Sequence, residues 1–88
     1  MDDQAFAQRW ARDRMARKPM GRFRLEAELQ AQGVDDTIIF NTVEDIYAET
    51  DERTVALQLL KTRAVTPAFL RRRGFSEDTI ESVLRTED

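Results

Sequence analysis

The chain has 88 residues, with 14 basic and 17 acidic side chains and a net charge of −3. That length suits one small domain, or two units sharing one core. Cys and His are both absent, which excludes disulfides, thiolate metal sites and the commonest general base.

Asp2 or Asp3 is placed to cap a first helix that runs to about Arg17. Phe6, Ala7, Trp10, Ala11 and Met15 recur at three- and four-residue steps and form one apolar stripe. Lys18-Pro19 ends that helix, because the residue before a proline is biased out of the helical region. A second helix starts near Gly21 and ends at Gly33, with Leu25 and Leu29 facing the core and Phe23 or Ala27 at its margin. Gly33 suits a C-terminal cap with positive φ, and Val34 supplies the apolar contact that accompanies it.

Asp35 caps a third helix that reaches about Ala48. Ile39, Val43 and Ile46 share one stripe, flanked by Phe40 and Tyr47. Thr50 or Asp51 caps a fourth, with Val55, Ala56, Leu59 and Leu60 inward. Thr66-Pro67 opens a short fifth helix to Arg73, with Thr as cap and Pro as first helical residue. Ser76 caps a sixth, with Ile80, Val83 and Leu84 inward, and the tail Thr86-Glu87-Asp88 is expected to fray. No segment alternates with period two, so the fold class is all-α with six helices.

Part of this pattern occurs twice. Ala27 aligns with Ala68, Leu29 with Leu70, Gly33 with Gly74 and Val34 with Phe75. The same offset carries Ile39 onto Ile80 and Val43 onto Leu84. Each copy reads as a helix, a glycine stop, an apolar residue, an N-cap and a second helix. The expected architecture is two tandem three-helix repeats, helix-turn-helix-like, over residues 1–49 and 50–88.

Charge is blocked along the chain. The net values are +4 over residues 1–25, −8 over 26–60, +5 over 61–75 and −4 over 76–88. Local electropositive surfaces on an acidic body follow. A general nucleic-acid coat does not, since that calls for a pI above about 9. No stretch approaches the roughly 20 apolar residues of a membrane span. The acidic start Met1-Asp2-Asp3-Gln4, with no apolar run behind it, does not read as a secretory signal, so the cytoplasm is the expected location.

Asp2-Asp3-Gln4-Ala5-Phe6-Ala7, Trp10, Arg14, Gly21, Leu25, Glu28-Leu29 and Gly33-Val34 together resemble the middle of the RecX family. Phe69-Leu70-Arg71-Arg72-Arg73-Gly74-Phe75-Ser76 is similar to that family's late L-x-R-R-G-F signature. The resemblance covers nearly the whole chain and corresponds to the family's second and third repeats. A full-length member is expected to carry another repeat before Asp2. The resemblance implies a curved string of three-helix repeats lying in the groove of RecA filaments on single-stranded DNA. It implies a regulator that suppresses strand exchange and ATP hydrolysis, in recombination, DNA repair and the SOS response.

Arg71, Arg72 and Arg73 form the sharpest local feature. Three guanidiniums suit a phosphate backbone or an acidic protein surface. They also suit a helix C-terminus, where cations offset the dipole. A second cluster comprises Arg9, Arg12, Arg14, Arg17, Lys18, Arg22 and Arg24, of which Arg17, Lys18, Arg22 and Arg24 sit at a helix corner where convergence is expected. These seven residues, Arg71 to Arg73 and the corner four, are the candidate contacts to a RecA filament and to single-stranded DNA phosphates.

Trp10 has the chemistry to stack a base, but its place on the first apolar stripe assigns it to the core. The acidic run Glu44, Asp45, Glu49, Asp51 and Glu52 reads as a solvated face, without the alternating ligands of a calcium loop. No nucleophile–base pair, phosphate loop, dinucleotide fingerprint or HExxH is present. The chain is therefore read as a non-enzyme with no cofactor, metal or small-molecule substrate. A helix-turn-helix DNA-binding module is the alternative, with Asn41 as its main base-reading residue and Glu81, Ser82 and Arg85 offering little. A plain protein-interaction scaffold is the third reading.

Overall fold

A computed structural model describes residues 2–85. The fraying expected of the tail lies outside them. Six helices follow in order: α1 (Asp3–Arg17), α2 (Arg22–Ala31), α3 (Asp36–Glu49), α4 (Glu52–Thr62), α5 (Pro67–Arg72) and α6 (Glu77–Leu84). No strand occurs among the described residues.

The helix starts are set by side-chain caps. Of the two candidates at α1, Asp2 accepts from the Ala5 N–H at 3.1 Å. At α4 the cap is Asp51, which accepts from the Thr54 N–H at 2.8 Å, while Thr50 closes α3. Asp35, Thr66 and Ser76 cap α3, α5 and α6 as their sequence positions imply. Both glycine turns take the same form. Gly33 has φ +80° and Gly74 φ +90°. The Val34 N–H reaches back to the Leu29 carbonyl at 3.2 Å, and the Phe75 N–H to that of Leu70 at 3.0 Å. These bonds satisfy carbonyls that each helix end leaves unpaired.

α1 and α2 lie against α3, and α4 and α5 lie against α6. Ala7 and Ala11 are the buried residues of α1, small enough to bring it close to α3. Leu25, Leu29, Ile39, Val43 and Ile46 complete that part of the core. Val55, Ala56, Leu59, Leu70, Phe75, Ile80 and Val83 build the other part. Three aromatics placed on or beside stripes stay outside: Phe6 is 41% exposed, Phe23 55% and Phe40 63%. The alanine pair narrows the buried side of α1, and Thr42 and Tyr47 take the flank of α3 that Phe40 was expected to share.

The molecule measures 49 × 19 × 18 Å, with a radius of gyration of 13.3 Å. A compact chain of this length would have about 12 Å. The two repeats are thus arranged lengthwise, and the joint between them becomes the determinant of shape.

Candidate partner-binding surface at the repeat joint

The α5–α6 turn lies across the start of α2. The Gly21 N–H donates to the Arg73 carbonyl at 2.9 Å, and the Phe23 N–H to the Gly74 carbonyl at 3.0 Å. Between them the Arg22 N–H donates to a Glu52 carboxylate oxygen at 2.9 Å. These are N–H groups that a helix start cannot satisfy internally. Gly21, the N-cap, has no side chain to help. The second repeat therefore caps a helix of the first.

Glu52 is only 8% exposed, which corrects the reading of the acidic run as wholly solvated. Glu44, Asp45, Glu49 and Asp51 are exposed. The Glu52 carboxylate also accepts from the Ser76 N–H at 3.3 Å, the Ser76 hydroxyl at 2.9 Å and the Thr79 hydroxyl. One buried carboxylate thus serves the N-termini of α2 and α6 together, where helix dipoles favour negative charge. Met20 is fully buried, and its carbonyl accepts from the Tyr47 hydroxyl at 2.8 Å. Burial, then the Glu52 charge, pushes the Tyr47 phenol above its ordinary pKa.

The three consecutive arginines point to three different places. Arg71 forks onto Glu77 at 2.6 and 3.2 Å, with both side chains exposed. Arg72 is exposed and has no ion-pair partner among the described residues. Arg73 turns inward, donates to the Pro19 carbonyl at 2.7 Å and lies 4.7 Å from the Phe69 ring centre. Successive residues on a helix are about a quarter-turn apart, so three in a row cannot share one face.

The corner residues are likewise dispersed. Arg17 pairs with Asp13 at 3.1 Å on its own helix. Arg22 reaches Glu44 at 3.9 Å and lies over the Tyr47 ring at 5.7 Å. Arg24 binds Glu28 at 2.9 Å. Lys18 is half-buried with no ion pair among the described residues. Arg24 approaches the α5 cluster through its backbone, which lies against Gly74. Trp10 is half-buried against the core, as its stripe implied.

Glu28 also takes a two-pronged bond from Arg14 at 2.6 and 3.1 Å. Arg14 first, with Arg24 adding, lowers the Glu28 carboxyl from 4.5 to about 2, against the opposing effect of burial. A folded-state pKa below the unfolded value stabilises the fold above the unfolded pKa. That contribution fades as pH falls from 4.5 towards 2. Glu28→Gln is therefore expected to flatten the stability profile across this window, read as melting temperature against pH. An unchanged profile would refute the clamp.

Residues 2–41 match the family model of the RecX second three-helix domain. The Regulatory protein RecX of Treponema pallidum (strain Nichols) is 33% identical over 85 residues, covering 97% of this chain and 48% of the relative. That of Pelodictyon phaeoclathratiforme is 32% identical over 94 residues, covering 97% and 59%. That of Mycobacterium sp. (strain KMS) is 32% identical over 103 residues, covering 99% and 56%. The chain is similar to RecX regulatory proteins over nearly its whole length. It spans about half the length of the curated relatives it matches. Those relatives are named as regulatory proteins, and the six-helix, all-α fold is consistent with RecX three-helix domains. No solved structure matches the chain. Within this chain, sequence reasoning missed Glu52 as a joint residue and did not single out Arg63. The first is hidden among exposed acids, and the second sits alone after α4.

Proposed function

We propose that this chain is a non-enzymatic regulator that binds a RecA-type recombinase filament and suppresses its strand exchange and ATP hydrolysis. Its sphere is DNA recombination and repair within the SOS response, in the cytoplasm. The observation that carries this reading is the RecX match over 97% of the chain. Residues 1–49 and 50–88 act as two contact units along the filament groove. Arg71, Arg72 and Lys18 face acidic recombinase surfaces, with Arg17, Arg22, Arg24 and Arg73 adding positive potential and reaching single-stranded DNA phosphates. A rod of two fixed repeats favours this mode, because both units engage with high effective concentration. Regulation follows only if one filament state is bound better than another. No helix among the described residues is long and apolar enough to cross a membrane.

Co-sedimentation with RecA filaments on single-stranded DNA tests the reading at about 150 mM salt, near physiological ionic strength. Binding to filaments well above binding to DNA alone is expected. Arg72→Glu, which changes an exposed and unpaired charge, is expected to weaken it about tenfold, worth about 1.4 kcal/mol. Equal binding to naked duplex DNA would instead favour the helix-turn-helix module. Binding to neither would count against the regulator.

A further inference from the structure

Seven arginines among the described residues lie within ion-pair distance of a carboxylate. Arg63 and Arg73 are among those that do not. Both place their guanidinium carbons 4.7 Å from the centre of the same ring, that of Phe69. Arg63 closes α4 and Arg73 closes α5, so two helix C-termini deliver them. Residues 61–75 contain no acidic side chain to neutralise them. Arg73 is fixed by its bond to the Pro19 carbonyl of the first repeat. Arg24 of that repeat stands behind, and its one carboxylate, Glu28, is shared with Arg14. Burial, then the charges of Arg63 and Arg24, holds the Arg73 guanidinium below its usual pKa. Two like charges, Arg63 and Arg73, thus meet one aromatic ring without an ion-pair partner, and a bound anion relieves their repulsion.

We propose that the joint between the repeats carries an oxyanion site, formed by Arg63 and Arg73 on the Phe69 ring with Arg24 behind them, and that its ligand is a phosphate ester. A planar carboxylate is served by one fork, as Glu77 is by Arg71. Guanidiniums arriving from two helix ends suit a tetrahedral group with several acceptor oxygens. The Phe69 ring is already engaged by two guanidiniums. No base stacks on it, and binding is indifferent to base identity. A nucleic-acid backbone and a free nucleotide share this chemistry. The site does not depend on a recombinase, so its failure and that of the filament reading are separable.

The test is fluorescence anisotropy of a labelled oligothymidylate with the full chain, titrated between roughly 50 and 200 mM salt. Arg63→Gln is the informative variant, because Arg63 is exposed and makes no hydrogen bond through its side chain that the fold needs. It is expected to weaken binding about tenfold and to reduce the salt slope by about 0.7, the loss of one single-strand phosphate. Arg12→Gln, whose side chain is engaged by Glu49 and which lies outside the candidate contacts, is expected to change affinity less than about twofold. Arg63→Lys keeps the charge without the fork and should fall between wild type and Arg63→Gln. Competition by ATP at millimolar concentration would identify a free phosphate ester as a ligand. Competition by oligonucleotides alone would identify the backbone, and both results support the site. No binding by the wild-type chain, equal losses for Arg63→Gln and Arg12→Gln, or poly-glutamate competing as well as the oligonucleotide would each overturn it.

Discussion

Replacing Glu52 with alanine is expected to lower the free energy of unfolding by about 3 kcal/mol and to loosen the angle between the repeats. The carboxylate is 8% exposed and receives bonds from Arg22, Ser76 and Thr79. Alanine leaves the Arg22 and Ser76 N–H groups without an acceptor, while the Ser76 hydroxyl keeps Thr79, and unpaired buried donors are what make such changes expensive. For a domain of this size each kcal/mol moves the melting temperature by about 4–8 °C, so a drop of roughly 12 °C or more should appear in a thermal melt. Glu52→Gln should do less harm. It keeps one acceptor oxygen but turns an NH2 group towards a site built of donors. Glu44→Ala is the control, since Glu44 is exposed and makes one long ion pair. Small-angle scattering should show a radius of gyration above 13.3 Å for Glu52→Ala alone. Under the proposed function, filament affinity should also fall, although no proposed contact residue has changed, because two loosely joined repeats lose effective concentration. A Glu52→Ala protein that melts and scatters like Glu44→Ala would refute the role assigned to this carboxylate.

The helices were legible because their signals are short-range. Thr66-Pro67, Asp35 and the two glycine turns each act on a backbone a few residues away. The joint was not legible, because its groups meet across long separations. Glu52 has the same neighbours in sequence as four exposed acids, and only the docking of α6 and the start of α2 buries it. Met20 is a single apolar residue in a linker, with no periodicity to mark it. The run Arg71 to Arg73 looks like one patch on paper, yet helix rotation sends the side chains to Glu77, to solvent and to Pro19. Conversely, Arg63 lies outside every run, and the fold brings it onto the ring that Arg73 occupies. Phe6 and Phe40 have the spacing of core residues, but whether a stripe is buried across its full width depends on what packs there.

Three alanine substitutions at glycine should separate the turn from the joint. Gly33→Ala meets nothing within 4 Å of its new Cβ, and its only penalty is the left-handed backbone at φ +80°. A loss of about 1–2 kcal/mol is expected. Gly74→Ala carries the same backbone penalty, and its Cβ is driven into the backbone and Cβ of Arg24. Overpacking against a main chain adds about 1–3 kcal/mol, for a total of roughly 3–4 kcal/mol. Gly21 has an ordinary φ of −85°, so its backbone carries no strain. Its Cβ, however, would overlap the Gly74 carbonyl and the Phe75 Cα, and neither is the movable end of a side chain. Gly21→Ala should therefore open the joint and break the Gly21–Arg73 and Phe23–Gly74 bonds, at a loss of about 3 kcal/mol. Urea unfolding of the three variants should rank Gly33→Ala as the mildest. Scattering should show lengthening or loosening for Gly21→Ala and Gly74→Ala and none for Gly33→Ala. Equal losses at Gly33 and Gly74 would mean that both glycines serve only their own turns, and that the α5–α6 turn does not hold the start of α2.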